Sequence, residues 1–278
     1  MVEFKRIIKK KYPTIHIFYR KLKFFLRTLF LREFLPQIHE IGVNISRFGS
    51  EHGWEFIHRD YLYNSTVISV GLGEDASFDT EFCSKYGATI FLLDPTPSSV
   101  AHYVEIRKNF GRSRTCDYIS GGKQPAGSYE LAKVSGSNFH LIPKALWDKT
   151  GDVEFFAPAN SHHNSFSITN LQNTSESIVV PAITYQDLLI LINRKGHDVK
   201  LLKLDVEGAA TEVLSNILNN GFRPKQILVE FEEIFTFSIG NVRKLKLISK
   251  SLREANYELI STDYVANFVY EFTEEESY

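Results

Sequence analysis

The stretch Val67-Ile-Ser-Val-Gly-Leu-Gly-Glu-Asp75 decides the fold, because a β-branched apolar run breaks there into two glycines and then two carboxylates. Apolar or small residues leading into Gly71 are typical of a buried strand, and Gly71 and Gly73 permit a tight turn. Three aromatic residues then recur at helical spacing, Phe78, Phe82 and Tyr86. A strand, a Gly-x-Gly turn and a helix predict the ligand-facing corner of a Rossmann-like unit.

A second strand is predicted at 89–94, and it ends in Asp94, 23 residues beyond Gly71. An acidic side chain about 20 residues after a glycine turn is where a ribose hydroxyl pair would be bound. Pro95 ends the strand, since it cannot donate a ladder hydrogen bond. The two signals together predict a nucleotide-type site, and an ordinary strand-to-helix turn is the alternative.

Length and composition allow one large core, or one core plus an appendage, in 278 residues of which 43% are hydrophobic. Two cysteines, Cys83 and Cys116, give no disulfide framework and no metal spacing, which favours a reducing, cytoplasmic location. Residues 1–32 carry a net charge of +9, so that −10 remains for the rest of a chain whose total is −1. The acidic body predicts no nucleic-acid partner.

A basic amphipathic helix is predicted over residues 15–31. One face carries Ile15, Phe18, Leu22, Phe25, Leu26 and Leu29, and basic side chains lie opposite. Such a helix could lie on an anionic membrane, or pack on its own domain or on a second copy in a homodimer, and both alternatives stay open. Its apolar runs are too short to span a bilayer. We expect residues 1–59 to form this extension and a lead-in, and 60–278 to form one domain.

Strands and helices alternate through the rest of the chain, which predicts an α/β, doubly wound, mostly parallel sheet with an antiparallel last strand. Further strands are expected at 138–146, 153–156, 179–183, 199–205, 226–231, 257–261 and 268–272. Helices are expected at 98–110, 182–192, 209–218 and 242–255, and 111–136 is a surface excursion. Such sheets bind ligands at the carboxyl ends of their strands, where Gly71, Asp94, Ala145 and Asp205 stand.

Three motifs together resemble the FkbM-type methyltransferases, a branch of the class I enzymes that depend on S-adenosylmethionine. They are the stretch 67–75, Leu92-Leu-Asp-Pro-Thr-Pro97 and Leu201-Leu-Lys-Leu-Asp-Val-Glu-Gly-Ala209. The resemblance covers about 60–272 and implies S-adenosylmethionine as cofactor and a seven-stranded sheet whose last strand is antiparallel. It departs from the family at Ser69, where many class I enzymes carry an acid, and at Ala210, where the family usually has Glu.

The resemblance implies that the first glycine turn and the acidic end of the second strand hold the cofactor. The predicted cofactor-binding residues are Gly71, Leu72, Gly73, Asp75, Asp94, Pro95 and Ala145. The predicted catalytic residues, which would take a proton from an acceptor hydroxyl or orient it, are Asp205, Glu207 and His163 of the pair His162-His163. Glu207 could instead sit in a first helical turn, and the histidines in a solvated loop. Glu230 could look into the pocket or bind a backbone amide. No spacing demands a metal, and none is predicted.

The leading function is methylation of a hydroxyl on a small-molecule or glycan acceptor, which could be a sugar, a lipid or a secondary metabolite. A dinucleotide-dependent oxidoreductase is the less favoured alternative, because Glu74 and Asp75 follow the turn without a third glycine and would repel a pyrophosphate. A non-catalytic binding or scaffold protein that keeps the same fold is the third alternative.

Overall fold

The computed structural model describes residues 43–156, 176–235 and 238–273, together with Leu22, Phe25 and Thr174. Its strands are β1 (Ile45–Phe48), β2 (Trp54–Ile57), β3 (Thr66–Val70), β4 (Thr89–Leu93), β5 (Phe139–Ile142), β6 (Ala145–Leu146), β7 (Gly151–Phe156), β8 (Ser177–Ile183), β9 (Val199–Leu204), β10 (Gln226–Glu230), β11 (Tyr257–Thr262) and β12 (Asn267–Phe272). Its helices are α1 (Ser77–Tyr86), α2 (Pro97–Arg107), α3 (Tyr185–Leu191), α4 (Ala210–Asn219) and α5 (Ile239–Glu254).

The central sheet has seven strands in the order β11-β12-β10-β9-β3-β4-β5. β3, β4, β5, β9 and β10 run parallel, whereas β12, the last strand of the sheet in sequence, is antiparallel to both of its neighbours. The predicted sheet is therefore confirmed. Val70 pairs with both Leu93 and Leu204, so the carboxyl ends of β3, β4 and β9 are level with one another.

Hydrophobic side chains cover both faces of this sheet, as the apolar runs of parallel strands require. On one face Ile68 and Val70 pack with the apolar sides of α3, α4 and α5. On the other face Val67 packs with α1, α2 and the β1–β2 hairpin. Consecutive residues of β3 thus serve opposite cores, because side chains alternate along a strand.

The prediction of one strand over 138–146 is wrong. β5 ends at Ile142, and Ala145 and Leu146 form β6, which belongs to a separate three-stranded sheet with β7 and β8. Pro143 separates the two strands, because it has no N–H group to continue the hydrogen-bonding ladder.

The helix predicted from residue 182 begins later than the sequence pattern indicated. β8 continues to Ile183, and α3 begins only after Thr184, whose side chain accepts a hydrogen bond from the Asp187 amide. α4 begins at Ala210, so Glu207 lies in the preceding turn and not in a first helical turn. The excursion 111–136 contains only a single 3₁₀ turn, Ala126–Ser128, as expected.

The lead-in contains an antiparallel hairpin, β1–β2, that was not predicted from the sequence. The side chain of Gln226 on β10 fixes it, accepting from the Ile57 amide at 3.0 Å and donating to the Ile57 carbonyl at 2.7 Å. Phe56 is completely buried among the rings of α1. The hairpin is thereby held against the central sheet.

Two predicted features fall outside the described residues. The helix predicted over 15–31 is described only at Leu22 and Phe25, which are helical and about half exposed. His162 and His163 are not described. Within the described part of the chain, the helices are all too short or too polar to cross a bilayer.

Candidate functional site

A cavity of about 1340 Å³ opens at the carboxyl ends of β3, β4 and β9. The glycine turn and the ends of the strands form its floor, and the β1–β2 hairpin, residues 121–123 and residues 262–265 form its walls. Its volume exceeds the range of about 300–1,000 Å³ that is typical for one small ligand. There is therefore room for a nucleotide-sized molecule and a second one beside it.

Positions 71 and 73 of the turn are occupied by glycine for different structural reasons. Gly71 has φ +84°, and a Cβ there would lie 2.1 Å from the backbone oxygen of Asp205. Gly73 has φ +56°, and a Cβ there would meet no atom within 4 Å. Gly71 is required so that the turn can approach β9, whereas Gly73 leaves open space on the cavity side.

Asp94 holds the glycine turn in place. Its Oδ2 accepts from the amides of Leu72 at 3.1 Å and Gly73 at 3.0 Å. Its Oδ1 accepts from the amide of Thr96 at 2.9 Å and from the Thr96 hydroxyl at 2.6 Å. A carboxylate offers about four acceptor positions, and the chain uses all of them here. Contact between Asp94 and a ribose stays a prediction, and the geometry assigns Asp94 first to the shape of the turn.

The other predicted cofactor residues also line the cavity. Asp75 joins the hairpin to α1, since its Oδ2 accepts from the Ser50 hydroxyl at 2.6 Å and its Oδ1 from the Ser77 amide at 2.9 Å. Pro95 contributes to the lining beside Asp94. Ala145 is buried and reaches the cavity from β6, not from the central sheet.

Asp205 and Glu230 form a carboxyl pair at the end of β9 and β10. Their side chains are hydrogen-bonded to each other, and burial raises the pKa of both. The Lys203 ammonium group, 3.8 Å from Asp205 Oδ2, opposes this shift at Asp205. A shared proton on Glu230 is thus the arrangement that burial favours, with Asp205 as the carboxylate. The Asp205 side chain is 34% exposed, toward the cavity.

Glu207 and Glu232 form a second carboxyl pair next to the first. Burial and the hydrogen bond with Glu207 raise the pKa of Glu232 to about 9, and the charges of Glu230 and Asp205 add to the shift. Of the two, Glu207 lines the cavity. Four acidic side chains therefore lie together at one end of the site, and burial favours the protonated form of Glu230 and Glu232.

Glu232 should make folding stability depend on pH. Between the ordinary carboxyl pKa and about 9, the folded protein holds a proton that the unfolded chain has released, so stability falls as the pH rises. In Glu232→Gln this loss is absent. We expect urea unfolding to show a gain of about 1 kcal/mol at about pH 8 and almost none at about pH 5, less than the full shift would give because Glu232 is partly exposed to solvent.

Glu258→Gln serves as the control, because it removes the same charge from an exposed position on β11. Equal stability changes for Glu232→Gln at the two pH values would contradict the assignment of the raised pKa to Glu232.

Sequence reasoning missed two buried charged residues of the cavity, Lys203 and Asp79, which are 3% and 1% exposed. A lysine in an apolar strand that is covered on both faces, and an aspartate on the apolar side of α1, were the available signals. It also named no cavity residue in the hairpin, from which Glu51 and His52 of the loop and Trp54 of β2 reach the cavity. Among the described residues, no three acidic, histidine or cysteine side chains are placed to hold a metal ion.

The sheet order and the glycine turn are those expected of a class I, S-adenosylmethionine-dependent methyltransferase. The chain belongs to the FkbM methyltransferase family, since the model of the methyltransferase FkbM domain matches residues 58–259, well over half of its length. None of the curated proteins matches it.

Several solved structures are distantly similar to this chain, each at 10% sequence identity. Monomeric WbdD has a TM-score of 0.37 and aligns over 74% of this chain, which spans 36% of the WbdD chain. The fibrillarin pre-rRNA processing protein of Methanococcus jannaschii also has a TM-score of 0.37, with 85% and 86% of the two chains covered. A TehB-like SAM-dependent methyltransferase from Corynebacterium glutamicum has a TM-score of 0.31, with 76% and 82% covered. Such distant likenesses say nothing about the acceptor.

S-adenosylmethionine is the cofactor of this family, and the residues present fit it. Gly73 leaves open space where a side chain would fill the cavity. The donor has a positive sulfonium, a positive ammonium group and one carboxylate, so an acidic cavity attracts it overall. Asp79 Oδ1, a buried carboxylate oxygen in the cavity, has no hydrogen-bond partner among the described residues.

Proposed function

We propose that this chain transfers the methyl group of S-adenosylmethionine to a hydroxyl of a sugar, a lipid or a secondary metabolite, with Asp205 as the base. One observation carries the proposal. Asp205 lies at the end of β9 beside the glycine turn, and its carboxylate opens into a cavity that has room for two molecules. A base next to the cofactor turn is what a hydroxyl acceptor needs.

The bound cofactor supplies a methyl group on a sulfonium, which an acceptor oxygen can displace directly. The chain therefore has to align the acceptor and receive its proton. A neighbouring proton on Glu230 leaves Asp205 as the carboxylate, and burial makes it a stronger base than an exposed aspartate. The Lys203 ammonium group, 3.8 Å from Asp205 Oδ2, opposes the rise in the pKa of Asp205 and so favours its carboxylate form.

Glu207 is proposed to orient the acceptor. It reaches the cavity from the turn that precedes α4, and its hydrogen bond with Glu232 fixes its position. His163 stays a sequence prediction, because it lies outside the described residues.

The start of α1 supports methyl transfer over dinucleotide chemistry. A pyrophosphate would need unused amides at this helix end. Instead the Ala76 amide donates to the Tyr129 hydroxyl at 3.1 Å, and the Ser77 amide donates to Asp75 at 2.9 Å. The carboxylates of Glu74 and Asp75 stand in the same place and would repel the phosphates.

The test is transfer of tritium from methyl-labelled S-adenosylmethionine to a panel of monosaccharides, glycolipids and phenols. Asp205→Asn is expected to lower turnover about 100-fold or more, the usual contribution of a general base. Its affinity for S-adenosylhomocysteine should stay within about 3-fold of the parent, because the turn itself is unchanged. Asp152→Asn, an exposed aspartate on β7, is the control and should match the parent. Full turnover in Asp205→Asn would overturn its role as base.

A further inference from the structure

Asp79 occupies an unusual position in the cavity. It projects from α1, is 1% exposed and lines the cavity. Its Oδ1 lacks a hydrogen-bond partner among the described residues, although a buried carboxylate oxygen is costly to leave unpaired. Burial raises the pKa of Asp79, and the charge of Lys203 and the Ser69 hydroxyl oppose that shift, so both groups lie close to the carboxylate. An orphaned acceptor in a ligand cavity indicates that a donor on the ligand completes it.

Lys203 is the matching buried cation. Its Nζ donates to the Gly71 carbonyl at 2.9 Å, and it lies 3.8 Å from Asp205 Oδ2 and 5.2 Å from the centre of the Trp54 ring. The carbonyl uses one of three N–H donors of the ammonium group. The other basic side chains of the described lining, Arg47 and Lys123, are exposed at the rim, and Lys123 is paired with Glu74. Beside the glycine turn, the cavity therefore offers one buried cation, Lys203, and a buried carboxylate, Asp79, whose Oδ1 has no hydrogen-bond partner among the described residues.

We infer that Asp79 and Lys203 form the subsite for the amino-acid end of the methyl donor, Asp79 receiving its ammonium group and Lys203 its carboxylate. The inference deepens the proposed function and rests on it. The amino-acid end carries one positive and one negative group a single carbon apart. In an otherwise acidic cavity its carboxylate needs a cation, and Lys203 is the buried cation that the described lining provides.

The competing explanation is a purely structural ion pair. Asp79 and Lys203 would then only compensate each other between α1 and β9, and ligands with and without an amino-acid end would be affected alike when the pair is broken. The two roles therefore differ in which ligand loses affinity.

The first experiment uses the unmodified protein and two ligands, S-adenosylhomocysteine and 5′-methylthioadenosine. Both contain adenosine and a thioether sulfur, but only the first has the amino-acid end. Two charge-assisted contacts should make S-adenosylhomocysteine bind roughly 100-fold more tightly in calorimetry. Equal affinities would overturn the subsite and leave the methyl-donor site standing. Binding of neither ligand would overturn the proposed function as well.

The second experiment uses Asp79→Asn and Lys203→Met, which keep the size of each side chain and remove its charge. Each should weaken S-adenosylhomocysteine at least about 10-fold and change 5′-methylthioadenosine by less than about 2-fold. Lys200→Met is the control on the same strand, where Lys200 bonds to the His197 carbonyl outside the cavity, and both affinities should be unchanged. Equal losses for both ligands in the two test variants would assign a structural role and overturn the inference. If a variant does not fold, the comparison of ligands on the parent decides alone.

Discussion

Gly71→Ala is expected to lower the free energy of unfolding by about 3 kcal/mol and to abolish binding of S-adenosylhomocysteine. A left-handed φ costs a residue with a Cβ about 1–2 kcal/mol. At Gly71 the added Cβ would also lie 2.1 Å from the Asp205 backbone oxygen, so the turn and β9 must move apart. That movement breaks the contact of Lys203 with the Gly71 carbonyl.

Gly111→Ala separates the cost of the left-handed backbone conformation from the cost of the steric contact with Asp205. Gly111 has φ +78°, close to the +84° of Gly71, but a Cβ there meets no atom within 4 Å. We expect a loss of about 1 kcal/mol from strain alone, with cofactor affinity unchanged. Urea unfolding of the two variants measures the difference. If both lost the same stability, the close approach of the turn to β9 would not be what requires glycine at position 71.

The second large effect is expected from Asp94→Asn, which should weaken the binding of S-adenosylhomocysteine by at least about 100-fold. The asparagine amide keeps one acceptor oxygen and turns an NH2 group toward N–H donors, so two hydrogen bonds to a charged group are lost. Each is worth about 1.5–3 kcal/mol, and about 1.4 kcal/mol corresponds to a factor of ten in affinity. The loosened amides are those of Leu72 and Gly73, at the place where the cofactor must lie.

Thr96→Val is the matched control for this variant. It removes the hydroxyl that donates to Asp94 but leaves both amide bonds of the turn in place. The expected loss of affinity is less than about 10-fold, as for one hydrogen bond. Parent-like binding by Asp94→Asn would contradict the role of the carboxylate in shaping the turn.

The sequence predicted the parts of the site that depend on local pattern. Strands that end in Gly71, Asp94 and Asp205 could be recognised from their apolar runs, and the convergence of these ends follows from the parallel arrangement. The break at Pro143 could also have been recognised, because a proline without an N–H group does not continue an inner strand.

The missed parts depend on contacts between distant segments. β1–β2 is short, and its position depends on Gln226, which is 169 residues beyond Ile57. Asp79 and Lys203 are 124 positions apart in the chain, so no spacing rule brings them together. Only the packing of α1 on one face of the central sheet, which contains β9, places both in the lining of the cavity. The carboxyl pair of Asp205 and Glu230 likewise needs the order of the strands.

The central claim, a methyl-donor site at the glycine turn, is tested most directly by calorimetric titration of the unmodified protein with S-adenosylhomocysteine, with NADH as a parallel ligand. We expect micromolar binding of S-adenosylhomocysteine and no binding of NADH. Binding of NADH alone, or of neither ligand, would contradict the account.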